Sequence, residues 1–103
     1  MTEDDRGLRS IVHELVTETA EDDVGLWRVH QKLDRLGEAS TERIVQIVAQ
    51  ILHDDRIQIG QFSDAGFEVW PERGEARLAR LQRELEELGH APNIGEVAWL
   101  VQF

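Results

Sequence analysis

Two rows of side chains in this sequence have types and spacings that could do chemistry on a nucleic acid. Arg28, Lys32 and Arg35 stand 4 and 3 residues apart, and Arg43, Gln46, Gln50 and His53 stand 3, 4 and 3 apart. Both spacings line up on one face of an α-helix. Arginine can pair with guanine and glutamine with adenine in a major groove, and a neighbouring row of cations can hold phosphates. A different chemistry is offered further along by Phe62 and Trp70, with Asp54, Asp55, Asp64 and Glu68 around them. Strand alternation that turns Ile57, Ile59, Phe67 and Val69 inward would turn Phe62 and Trp70 outward together. An exposed aromatic pair inside an acidic rim is suited to anchoring a basic protein, because the rings supply buried area and the carboxylates supply steering. Should Trp70 lie buried instead, the acidic segment with Asp22 and Asp23 is the next candidate.

Catalytic chemistry finds no such footing. His13-Glu14 begins a metalloprotease-like string, but Thr17 occupies the position where the second histidine is needed. His30, His53 and His90 have no partners at ligand spacing, and His30 falls on an apolar helix face, where it reads as a core residue. The adjacent pairs Asp4-Asp5, Asp22-Asp23 and Asp54-Asp55 would point apart in any regular element. The chain has no cysteine, which excludes a disulfide framework, a thiolate metal site and a thiol nucleophile. It also has no phosphate-cradling glycine loop and no G-x-S-x-G elbow. The sequence therefore leads us to expect a non-enzymatic protein with no cofactor and no metal.

Charge bears on the choice between the two surfaces. Twenty-one acidic residues face 11 Lys and Arg, for a formal net charge of −10. Phosphate neutralisation supplies most of the affinity of a duplex-binding domain, so this balance disfavours nucleic acid. Residues 24–53 alone escape the excess, with 4 bases against 3 acids. At 103 residues and 41% hydrophobic content the chain is one folded domain rather than a disordered acidic tail. No run approaches the ~18 apolar residues of a membrane span, and the polar acidic start is unlike a signal peptide, so a cytoplasmic location is expected.

The elements that must position these residues follow from apolar periodicity. Leu8, Ile11, Val12, Leu15 and Val16 predict a helix over about residues 7–20, after a disordered acidic leader at 1–6. Glu21, Asp22 and Asp23 end it and offer caps to a second helix over about 24–36, which stops at Gly37. Ser40 or Thr41 opens a third over about 41–53, whose dense set of Ile44, Val45, Ile47, Val48, Ile51 and Leu52 marks it as central. Alternation over Arg56–Phe62 and Phe67–Trp70 around the turn Ser63-Asp64-Ala65-Gly66 predicts a hairpin. Leu78, Leu81, Leu85 and Leu88 predict a fourth helix over about 72–89, and Glu96–Phe103 a terminal strand. Trp27 and Trp99 are expected in the core. Residues 7–103 thus read as a single α+β domain, winged-helix-like, with a helix-turn-helix, a hairpin, a helix and a last strand.

The run Gly66-Phe67-Glu68-Val69-Trp70-Pro71, then Glu75-Ala76, then Leu88-Gly89-His90-Ala91-Pro92-Asn93-Ile94-Gly95-Glu96-Val97-Ala98-Trp99 resembles a group of small uncharacterised actinobacterial proteins. The resemblance covers residues 56–101 and extends only loosely to the first two helices. It implies a bacterial cytosolic origin and one compact domain, and it brings no functional residue with it. The function expected from charge and size is that of a small acidic protein-interaction domain, an immunity or antitoxin-like inhibitor of a basic protein. The alternative is a winged helix-turn-helix transcription regulator. The sequence leaves the oligomeric state open.

Overall fold

The computed structural model describes residues 3–103, with side chains from residue 6 onward. The elements are α1 (Glu3–Thr19), β1 (Val24–Gly25), α2 (Leu26–Arg35), α3 (Thr41–Ile51), β2 (Ile57–Ser63), β3 (Gly66–Val69), α4 (Gly74–Leu88) and β4 (Trp99–Gln102). The four strands form one antiparallel sheet in the order β1-β4-β2-β3. This is the expected α+β layout of helices, hairpin, helix and strand. Its departure from a plain winged helix is the last strand, which lies between β1 and β2 and leaves β3 at the edge.

Helix α3 is central, as its apolar density predicts. It packs against α1, α2 and α4, and Ile47, Val48 and Ile51 are almost wholly buried. Ser40 caps it by accepting a hydrogen bond from the Arg43 N–H at 3.1 Å. The stripe of α1 brings Ile11 and Leu15 into the same core, and α4 adds Leu81 and Leu85. The inner face of the sheet closes the core with Val24, Ile57, Ile59 and Leu100.

Several boundaries differ from the sequence reading. Helix α1 begins at Glu3, so residues 3–6 of the expected leader are helical, and residues 1 and 2 lie outside the described residues. Val24 and Gly25 are not the first turn of a helix but a strand paired with Leu100 and Trp99. Long-range pairing there overrides local helical periodicity. The carboxylates before α2 do not cap it, since Asp22 accepts from the Asp23 N–H instead. The free Leu26 N–H at the start of α2 donates to the Ala98 carbonyl at 3.2 Å. The terminal strand is shorter than expected because Val97 adopts φ 67° and the Ala98 N–H reaches back to the Glu96 carbonyl at 2.9 Å. That is a γ-turn with a positive central φ, rare and strained for a β-branched residue. The Gln61 side chain braces it, donating to the Val97 carbonyl at 2.9 Å.

The hairpin register decides the two faces of the sheet. Ser63 pairs with Gly66, Phe62 with Phe67, Gln61 with Glu68 and Gly60 with Val69. Paired residues point to the same face, so Phe62, Phe67 and Val69 are all turned away from the helices. Trp70 is turned towards them. It is 2% exposed, with the Arg80 guanidinium lying 4.1 Å over its ring. The expectation that Phe62 and Trp70 share an exposed face is therefore incorrect. It assigned Phe67 and Val69 inward by analogy with Ile57 and Ile59, and an error of one residue in register exchanges every side chain between faces.

Two core truncations check this architecture by denaturant unfolding. Ile47→Ala is expected to cost about 2–5 kcal/mol, and Trp70→Ala about 3–5 kcal/mol, as for other buried large-to-small changes. A near-neutral Trp70→Ala would place the indole outside the core.

Candidate functional site

The outward face of the sheet carries a row of aromatic side chains. Phe62 lies 5.6 Å from Trp99 and 5.1 Å from Phe67 between ring centroids, and Phe67 lies 6.0 Å from Phe103. Phe62 is 47% exposed and Phe103 70%, whereas Phe67, Trp99, Val69 and Val101 are half-buried. Gly60 lets the row close up. A Cβ there would come within 2.1 Å of the Glu68 carbonyl oxygen and 2.9 Å of the Phe67 ring.

At the β1 end this face runs into an open cleft of about 620 Å³. Trp27, Phe62, Ile94 and Trp99 supply its apolar lining, and Glu18, Glu21, Asp22, Asp23 and Arg28 its charged one. Gly25 is the floor. A Cβ on Gly25 would come within 2.6 Å of the Trp27 ring, so a side chain here would displace that indole, while Trp99 at 3.4 Å is in ordinary contact. Trp27 and Trp99, expected in the core, are instead half-buried walls of the cleft. The Trp27 Nε1–H is covered without a protein acceptor.

The acidic rim expected around the hairpin does not assemble. Asp54 and Asp55 precede β2 while Asp64 is at the hairpin tip, roughly 20 Å apart along a seven-residue strand. Glu68 pairs with Gln61 and so belongs to the face opposite Phe62. Asp54 is engaged by Arg56, whose side chain donates to it at 3.0 and 2.7 Å and whose backbone N–H donates at 3.0 Å. Of the expected protein-binding set, Phe62 alone lies in the aromatic row. Asp22 and Asp23, the second choice, do line the cleft. Among the described residues no cation lies within ion-pair distance of Glu21, Asp22 or Asp23.

The cations of the helix-turn-helix face a different use. Lys32 is buried and donates to Glu14 at 2.8 Å, with Glu18 at 3.1 Å. Arg28 donates to Glu18 at 3.0 Å and to Gln31 at 2.6 Å. Arg43 lies 3.4 Å from Glu38 and donates to Gln46 at 3.0 Å. Arg35 is exposed, as are Gln46 and Gln50. Burial acts to raise the Glu18 pKa, but the hydrogen bonds and attraction of Arg28 and Lys32 outweigh it and leave the carboxyl below its ordinary value. These pairs therefore add stability above the ordinary carboxyl range, and that contribution is lost as pH falls through the lowered value.

Among the described residues no group of three or more histidines and carboxylates is arranged to hold a metal ion, and no helix is long and apolar enough to cross a membrane. No family model, curated protein or solved structure matches the chain.

Phe67, Phe103, Trp27 and Trp99 went unrecognised as surface residues in the sequence. For Phe67 the signal was present in the turn. A two-residue loop at Asp64-Ala65 requires Phe62 and Phe67 to pair, and alternation from Trp99 then carries Val101 and Phe103 to the same side.

The Arg56 hydrogen bonds, more than its charge, hold the Asp54 carboxyl down at about 2. Carboxyl-detected NMR titration is expected to find it there, and Arg56→Ala to return it towards the ordinary aspartate value. Titration of Asp54 in the wild-type protein at that ordinary value would release it as a free rim charge.

Proposed function

We propose that this chain is a small acidic protein-interaction domain without enzymatic activity, which holds a basic partner protein on the outward face of its sheet in the manner of an immunity or antitoxin-like inhibitor. The observation that carries the reading is the aromatic row Trp99, Phe62, Phe67 and Phe103 beside Glu21, Asp22 and Asp23, which no cation engages among the described residues. Clustered aromatics on a rigid sheet serve as anchors at low entropic cost, and they dominate the energetics of many interfaces. A net charge of −10 steers a basic partner towards it and disfavours self-association. A cytoplasmic bacterial setting fits the same reading.

A winged helix-turn-helix regulator is the second reading, favoured by the placement of α2 and α3 before a hairpin. It would need Arg28, Lys32, Arg35 and Arg43 to meet phosphates, with Gln46 and Gln50 on base edges. Three of those four cations are engaged by carboxylates of α1 or by Glu38, and binding a duplex would require those pairs to break.

The two readings separate on one pair of measurements. With a partner isolated by co-purification from the source cells, Phe62→Ser with Phe103→Ser is expected to weaken binding at least about tenfold, chiefly through faster dissociation. Fluorescence anisotropy with a random duplex at physiological salt is expected to show no saturable binding at low micromolar protein. Saturable duplex binding, lost in Arg28→Ala with Lys32→Ala, would replace the interaction-domain reading by the regulator.

A further inference from the structure

At the edge of its own core, over the buried Trp70, the chain displays a complete arginine-binding arrangement. The Arg80 guanidinium lies 4.1 Å over the Trp70 ring, while Glu72 accepts from it at 2.8 Å and Glu84 accepts from its Nε. Burial opposes the Arg80 charge, yet the two carboxylates outweigh that cost and raise its pKa above the ordinary value. An aromatic face and converging carboxylates thus satisfy a guanidinium together: the π-face attracts the cation and the carboxylates take its fork of donors.

The cleft at the β1 end repeats the ingredients without the arginine. Trp27, Trp99 and Phe62 line it, and Glu21, Asp22 and Asp23 stand beside them with no cation of the chain at ion-pair distance among the described residues. Arg28, the one cation lining the cleft, is directed to Glu18 and Gln31. The two indoles occupy their positions at a cost. Gly25 forgoes a side chain beneath Trp27, and the strained turn at Val97 delivers Trp99 to the strand. Lysine is a weaker fit, since an ammonium is strongly hydrated and lacks the flat face that stacks on an indole.

We propose that this cleft receives the side chain of an arginine presented by a segment of a basic partner protein, with the guanidinium against Trp27 and Trp99 and its donors on Glu21, Asp22 and Asp23. The proposal deepens the interaction-domain reading and rests on it. A second copy of this chain is a poor occupant, because its own acidic excess would meet the same carboxylates.

Proton–nitrogen correlation NMR of the full chain tests it, because the three indole N–H resonances report separately and Trp70, buried beneath Arg80, serves as the reference for an intact fold. The probe is a short acetylated and amidated Gly/Ser peptide carrying arginine. Its counterparts carry lysine, or citrulline, which keeps the shape of arginine without the charge. The arginine peptide is expected to shift Trp27 and Trp99 saturably while leaving Trp70 in place. Lysine is expected to bind several-fold more weakly and citrulline not at all. Asp22→Asn with Asp23→Asn, both exposed positions, is expected to weaken the arginine peptide about tenfold. An unmoved Trp27 and Trp99 at peptide concentrations of order 1 mM, or equal shifts from citrulline or lysine, would overturn the assignment. A partner that depends on Phe62 and Phe103 but is indifferent to Asp22→Asn with Asp23→Asn removes the cleft and leaves the sheet-face reading standing. A partner indifferent to both pairs of substitutions removes the sheet-face reading itself.

Discussion

The two-residue turn at Asp64-Ala65 constrains the sheet. By joining Ser63 directly to Gly66 it fixes the parity of β3 against β2, while β4 takes its own parity on the other edge of β2 by pairing Trp99 with Gly60 and Leu100 with Ile59. Leu100, Ile57, Ile59 and Trp70 thereby fall on the helices, and Phe62, Phe67, Trp99 and Val101 fall on the other side. Gly60 is part of the same constraint, because the crowded crossing of Phe67 and the Glu68 carbonyl leaves no volume for a side chain there. The fold thus has an oily interior on one side of the sheet and an aromatic surface on the other, and the Asp64-Ala65 turn decides on which of them Phe67 and Trp70 fall.

Charge is distributed by a comparable economy. The cations of α2 are drawn to α1 carboxylates and Arg80 to Glu72 and Glu84, so that much of the chain's positive charge is compensated internally. Apart from those of the buried Lys32, these pairs are partly exposed and contribute little to stability one by one. Their larger effect is on the field. Glu21, Asp22 and Asp23, which have no ion-pair partner among the described residues, line the cleft beside Phe62 and Trp99 and add their negative charge there.

Much of the fold was legible in the sequence. The stripes of α1, α3 and α4, the Ser40 cap and the hairpin turn carry strong local signals, and Ile47 and Val48 could be named as core from apolar density alone. The site was only half legible. Phe62 was recognised as exposed, but Trp70 was paired with it because inward positions were extrapolated from Ile57 and Ile59 instead of being counted across the turn. Trp27 and Trp99 were assigned to the core because large aromatics usually belong there, and only the two-residue strand at Val24–Gly25 reveals otherwise. That strand has no local signature. Its existence depends on a partner at the far end of the sequence, and no window of neighbouring residues contains that information. The turn at Val97 escaped for the same reason, since a β-branched residue with positive φ is a conformation that local preference argues against.

The interior place of β4 has a kinetic consequence. The helices and the hairpin can form from contacts near in sequence, but Val24 meets Leu100 and Ile57 meets Gln102 only after a long loop is closed. Closure over such distances is slow, and the gain in contacts follows only after its entropy has been spent. Until β4 docks, both edges of the β2–β3 ribbon are unpaired, and Trp27 has no facing indole. The surface that would bind a partner is therefore the last part of the molecule to be built. A chain stalled on the way to the native state would display helices and a hairpin with Phe62 and Phe67, yet it would lack the Trp99 wall of the cleft and the Phe103 end of the row.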